Sequence, residues 1–168
     1  MSLYEGIDKI VPALKSFIGH ELSEVCIVLY AQSGEVKSWD MVRPELVFQN
    51  RVIRVDVKGG DYLAIYDDPW EDPFVHMSKA NFDFVMKAGK HWKVNMSSED
   101  LYSEMIRKRL EKIVLIRGPF DNLAGVEFYF EGSVATAFVG GDEVWFYPFQ
   151  CRDKLADMGY TIGKLITA

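Results

Sequence analysis

The residues best equipped for chemistry in this chain of 168 residues are carboxylates set beside aromatic rings. The densest group is Asp67-Asp68-Pro69-Trp70-Glu71-Asp72-Pro73-Phe74, four acids around one indole, with two prolines limiting the backbone. Carboxylates in that pattern could hold a divalent cation, but a calcium loop needs Asn and Gly at set positions and this stretch has neither. An indole ringed by acids on a stiff loop could instead dock a basic protein surface, because interaction hot spots combine a buried aromatic with a charged rim. The competing reading is a solvated acidic loop whose Trp70 and Phe74 tuck back onto the molecule. His20, His76 and His91 are scattered, and Cys26 and Cys151 are too few and too isolated for a zinc site or a disulfide framework. The chain has no P-loop, dinucleotide-binding glycine pattern, nucleophile elbow or paired-histidine motif. No catalytic residue, metal ligand or cofactor is therefore assigned.

A second acidic motif, Gly140-Gly141-Asp142-Glu143-Val144, resembles the signature hairpin of bacterial diguanylate cyclases. That resemblance would imply metal-binding aspartates and a substrate-contacting Asn and Asp far upstream, and residues 1–139 contain no matching segment. Val144 also stands where the family has Phe. The same Gly-Gly-Asp recurs at Gly59-Gly60-Asp61, followed by Tyr62 in place of the glutamate. A feature that survives without its glutamate is better explained as a turn than as a nucleotide site, since Gly-Gly between alternating strands is a common hairpin signal.

The two glycine pairs belong to a longer echo. Residues 45–66 align with 127–147, Phe48 matching Phe130 at an offset of 82 and Asp61 matching Asp142 at 81. Each copy reads as three strands with period-two alternation. The expected inward residues are Leu46, Phe48, Ile53, Val55, Val57, Leu63 and Ile65, then Phe128, Phe130, Ala135, Ala137, Val139, Val144 and Phe146. Turns are expected at Gln49-Asn50 and Glu131-Gly132, and at the two Gly-Gly pairs. Residues 22–31, apolar on both faces, read as a central strand.

Helices must position these strands. Tyr4, Ile7, Ile10, Val11, Leu14 and Phe17 follow helical spacing, with a kink or fresh start at Pro12. A helix over 98–112, with Ser97 and Asp100 as a capping box, is expected before the second copy, and Gly118-Pro119 is read as the break that restarts the sheet. Ser78 to Ala88 reads as a short helix ended by Gly89, and another near residue 152 is closed by Gly159. The expectation is one α+β domain over 1–168, built from two tandem helix-plus-antiparallel-meander repeats (about 1–66 and 98–147). Their sheets pack or merge, with helices on one face. Residues 67–97 connect the repeats and 148–168 extend the second.

Composition narrows the partners. With 25 Asp and Glu against 19 Lys and Arg the net charge is -6, which disfavours nucleic acid and favours a basic protein or a small ligand. No apolar run reaches membrane-spanning length, and no signal peptide is evident, so a cytoplasmic location is expected. In size, acidity and helix-plus-meander pattern the chain resembles small bacterial immunity or antitoxin proteins. That resemblance implies a non-enzymatic protein that recognises a basic protein partner. Asp67, Asp68, Trp70, Glu71 and Asp72 are candidate contacts, with Trp145 and Tyr147 from an outward face that also carries Tyr129, Glu127, Glu131 and Glu143. The alternatives are a small-molecule binder or enzyme using a cleft between the repeats, and a homo-oligomer subunit that hides its aromatic face.

Overall fold

A computed structural model describes residues 10–31, 42–60 and 62–168. The amino-terminal helix over Tyr4 to Ile7 and the aspartate Asp61 of the first glycine turn lie outside the described residues. Helix α1 (Val11–Lys15) carries Pro12 in its first turn, where a missing N–H costs nothing, so the proline opens the helix.

The chain then runs through β1 (Glu24–Ala31), β2 (Arg43–Phe48), β3 (Arg51–Val57), β4 (Leu63–Tyr66), α2 (Lys79–Ala88) and β5 (Lys90–Asn95). The same order follows again: α3 (Asp100–Ser103), β6 (Leu110–Arg117), β7 (Leu123–Phe130), β8 (Ser133–Gly140), β9 (Glu143–Tyr147), α4 (Arg152–Asp157) and β10 (Thr161–Ile166). Two antiparallel five-stranded sheets result, β4-β3-β2-β1-β5 and β10-β6-β7-β8-β9. Matching β1 to β6, β2 to β7 and so on through β5 to β10, the two orders are identical. Each unit therefore includes a helix and a fifth strand that returns beside its first, and segments 67–97 and 148–168 supply those parts.

The two meanders fold as their alternation dictates. The expected inward residues of both copies join one buried cluster, with Val57 at its margin. Phe48 and Phe130, equivalent in the repeat, stack with ring centroids 6.4 Å apart, so the sheets meet face to face over a shared core. Strand β1 lies between β2 and β5, as its two apolar faces require. The turns differ in detail from expectation: Gly140 ends β8 opposite Glu143, and the positive φ angles fall on Gly141 and Asp142 (60° and 66°). In the β2–β3 hairpin it is Gln49, rather than Asn50, that adopts positive φ.

The units join across an internal two-fold relation. Gly19 N–H donates to Leu110 O and Arg107 N–H to Leu22 O, while Leu110 N–H donates to His20 O and Leu22 N–H to Lys108 O, at 2.7 to 3.0 Å. Gly19 and Arg107 hold corresponding places, as do Leu22 and Leu110, so the four bonds form two symmetric pairs.

The second copy's helix is shorter than the stripe predicts. Residues 98–112 form a single helical turn and then strand, because Leu110 and Ile113 belong to the alternation of β6. Ser97 does not cap the helix; its hydroxyl accepts the Val25 N–H at 3.0 Å. Gly118-Pro119 is the β6–β7 hairpin and not a helix-to-strand break, closed by Gly118 N–H to Asn122 O at 2.8 Å. In contrast α2 matches its signals: the Ser78 hydroxyl accepts the Asn81 N–H, and Gly89 ends the helix at φ 100°. Among the described residues no helix is long and apolar enough to cross a membrane.

Candidate functional site

Segment 67–77 folds back over the outer face of the first sheet, and that contact uses some of its acids. Asp68 pairs with Arg54 of β3 at 2.8 Å, and Asp72 pairs with the Lys90 ammonium at the start of β5. Burial alone would raise the Asp72 carboxyl, but the Lys90 hydrogen bond and the Phe74 N–H outweigh it, so its pKa lies below the ordinary carboxylate value. Trp70 is half-buried, and its backbone N–H donates to the Glu45 carboxylate. Asp67 and Glu71 remain exposed. Of the five candidate contacts on this loop, Asp68, Trp70 and Asp72 thus have structural partners.

Glu45 introduces a feature that sequence reasoning passed over. It is fully buried on the outward side of β2, with its second oxygen 2.7 Å from Lys93 Nζ of β5. Glu127, its equivalent on β7, is also fully buried. Arg152 of α4 grips Glu127 in a two-pronged pair at 2.8 and 2.6 Å, and Tyr129 donates its hydroxyl to the same carboxylate at 3.1 Å. The Glu127 hydrogen bond raises the Arg152 pKa further and holds the guanidinium charged. Each repeat thus buries one glutamate under its crossover segment and neutralises it with one cation. Both glutamates stand first in the aligned segments, a signal that could have marked them.

The two thiols are free and buried. Burial, reinforced by the nearby Glu24 carboxylate, pushes the Cys26 thiol up to about 11, and burial also raises Cys151. Burial thus disfavours the thiolate, the nucleophilic form, at both positions.

Trp145 and Tyr147 lie on the outer face of the second sheet, stacked with centroids 6.5 Å apart, and Phe149 continues the ladder 5.1 Å from Tyr147. Lys154 of α4 sits 4.8 Å from the Trp145 ring centre, a cation–π contact. The ladder borders a cleft of about 670 Å3 between the two units. One wall is β9, which ends its sheet, together with Pro148 and Phe149 that follow it; every residue from Glu143 to Phe149 lines the cleft. The other is built by Ile27, Val42 and Met96 with the α3 turn, whose Tyr102 stacks on Phe146 at 5.7 Å.

The cleft's charge is one-sided. Glu99, Asp100 and Glu143 line it, with no Lys, Arg or His among its described lining residues. None of the three carboxylates is ion-paired among the described residues, unlike Asp68 and Asp72 of the acidic loop. The structure brings the predicted Trp145 and Tyr147 to this cleft, while Asp67, Asp68, Trp70, Glu71 and Asp72 stand apart from it. Glu99 and Asp100 escaped notice because they read as the start of a long helix. Comparison with protein-family models, curated proteins and solved structures gave no match, so the cleft's own chemistry is the basis for assigning a role.

Proposed function

We propose that this is a non-enzymatic binding protein, of immunity or antitoxin type, that recognises a positively charged and apolar segment of a protein partner in the cleft beside β9. The observation that carries the reading is the pairing of apolar and aromatic walls with three carboxylates that have no ion-pair partner among the described residues. A lysine- or arginine-bearing segment would bury its aliphatic stems against Val144, Phe146 and Tyr102 while its charges meet Glu99, Asp100 and Glu143. Among the described residues β9 ends its sheet, and such an edge suits an extended segment, which can add its backbone hydrogen bonds to it.

A synthetic heptapeptide of alternating lysine and valine is the direct probe. Titrated against the protein, it is expected to shift the backbone amide signals of Glu143 to Tyr147, with binding that weakens as salt rises. Equal binding of a peptide with glutamate replacing lysine would contradict the reading, as would shifts confined to 67–72. The cleft's volume also favours a second reading, a small aromatic amine, because about 300–1,000 Å3 is usual for small-molecule sites. Saturable binding of such amines without binding of the peptide would select it.

A further inference from the structure

A second hollow, of about 530 Å3, lies at the two-fold junction, where residues 19–23 and 106–109 meet. Its lining includes His20, Gln49, Arg107 and Arg109, with Glu21 as its one carboxylate. In a chain of net charge -6, this is a local reversal of sign. Neither the Arg107 nor the Arg109 guanidinium has an ion-pair partner among the described residues; the Arg109 backbone N–H reaches Glu131 at 3.4 Å.

Backbone geometry singles out the same place. Four described residues other than glycine adopt positive φ: Gln49, Arg107, Asp121 and Asp142. Two are aspartates, which tolerate the left-handed region; Gln49 (φ 55°) and Arg107 (φ 66°) are less suited to it, and both line this hollow. The repeat supplies the control. Arg107 takes the place that Gly19 fills in the first unit at φ 87°, and in the hairpin that corresponds to Gln49's the left-handed residue is Gly132, the counterpart of Asn50. Glycine would satisfy the turn at no steric cost, so a strained arginine here needs a reason in its side chain.

We propose that the hollow is a binding site for a phosphoryl dianion. Arg107 and Arg109 supply the charge, because guanidinium groups match phosphate oxygens in geometry and hydrogen bonding. The side-chain amide of Gln49 and the imidazole of His20 add donors. The hollow shares no lining residue with the cleft beside β9.

Calorimetric and NMR titrations with inorganic phosphate and with AMP test it and separate free phosphate from a phosphomonoester. Saturable binding of either is expected, with amide shifts at Gly19 to Ser23 and Ile106 to Arg109. The variant Arg107→Gly should lose at least about tenfold in affinity, while relief of the left-handed strain raises its thermal midpoint by about 2 °C or more. Arg109→Gln should lose affinity with no such rise. If neither anion binds at millimolar concentration, or if Arg107→Gly binds as tightly as the parent, the proposal is overturned.

Discussion

The two repeats share strand order, core face and a buried glutamate, yet they cover their outer faces differently. In the first, α2 contains no buried residue, and the acidic loop provides the cover through Asp68, Trp70 and Asp72. In the second, α4 itself is the lid: Leu155 is buried beneath it, and Arg152 reaches straight to Glu127. What the copies share is what the fold needs, and what differs is open to function. The first copy commits Asp68 and Asp72 to internal pairs, whereas the second leaves Glu99, Asp100 and Glu143 facing the cleft with no ion-pair partner among the described residues.

The shared part should be the most sensitive to substitution. Phe48→Ala and Phe130→Ala should each cost about 3–5 kcal/mol in urea unfolding, as large core truncations do. Because the rings stack on each other, the double variant should lose less than the two single losses combined. Strict additivity would mean that the two sheets do not share this contact.

The covers should respond unequally. Arg152→Ala leaves a buried carboxylate with only the Tyr129 hydroxyl, and a loss of about 3 kcal/mol is expected. Lys93→Ala leaves Glu45 the Trp70 N–H, and about 1 kcal/mol should suffice. Equal losses in chemical denaturation would erase the distinction between a lid helix and a lid loop.

A smaller difference is set by pH. His91, on the outer side of the first sheet, is held below its ordinary pKa of 6.5 by burial and then by Arg43. A depressed pKa gives stability that is complete above 6.5 and is lost as pH falls through the folded value, because the unfolded chain takes up the proton first. The second unit, residues 98–168, contains no histidine. Hydrogen exchange between pH 6.5 and 5 should therefore loosen β5 before β10, and His91→Gln should remove the difference.

Much of this comparison could be read in the sequence, and the omissions have physical causes. Alternation fixed the inward faces, because a buried sheet face tolerates no polar slip of one residue. Capping chemistry located α2 because Ser78 and Gly89 act locally. A small strand or tail after Gly159 was readable, where β10 lies, but β5 escaped because an edge strand with one apolar side alternates weakly: Lys90-His91-Trp92-Lys93-Val94-Asn95 carries three basic or imidazole side chains. The helix over 98–112 was overextended because Leu101, Tyr102, Met105 and Leu110 fit helical spacing by coincidence of a turn and a strand. Of the candidate site, the aromatics Trp145 and Tyr147 were legible. Glu143 was legible on the same outward face, whereas Glu99 and Asp100 were not, because they join it only when the α3 turn of the second unit comes to lie across the cleft from β9.

The central claim is that free acids in the cleft, rather than the conspicuous acidic loop, recognise a basic partner. Affinity for the lysine–valine heptapeptide, measured for two variants against the parent, decides it. Glu99→Gln with Asp100→Asn and Glu143→Gln should weaken binding at least about tenfold, or about 1.4 kcal/mol. Asp67→Asn with Glu71→Gln should leave it within about twofold, since exposed charges outside the contact matter little. The reverse ranking, with the loop variant losing affinity and the cleft variant keeping it, would contradict the account.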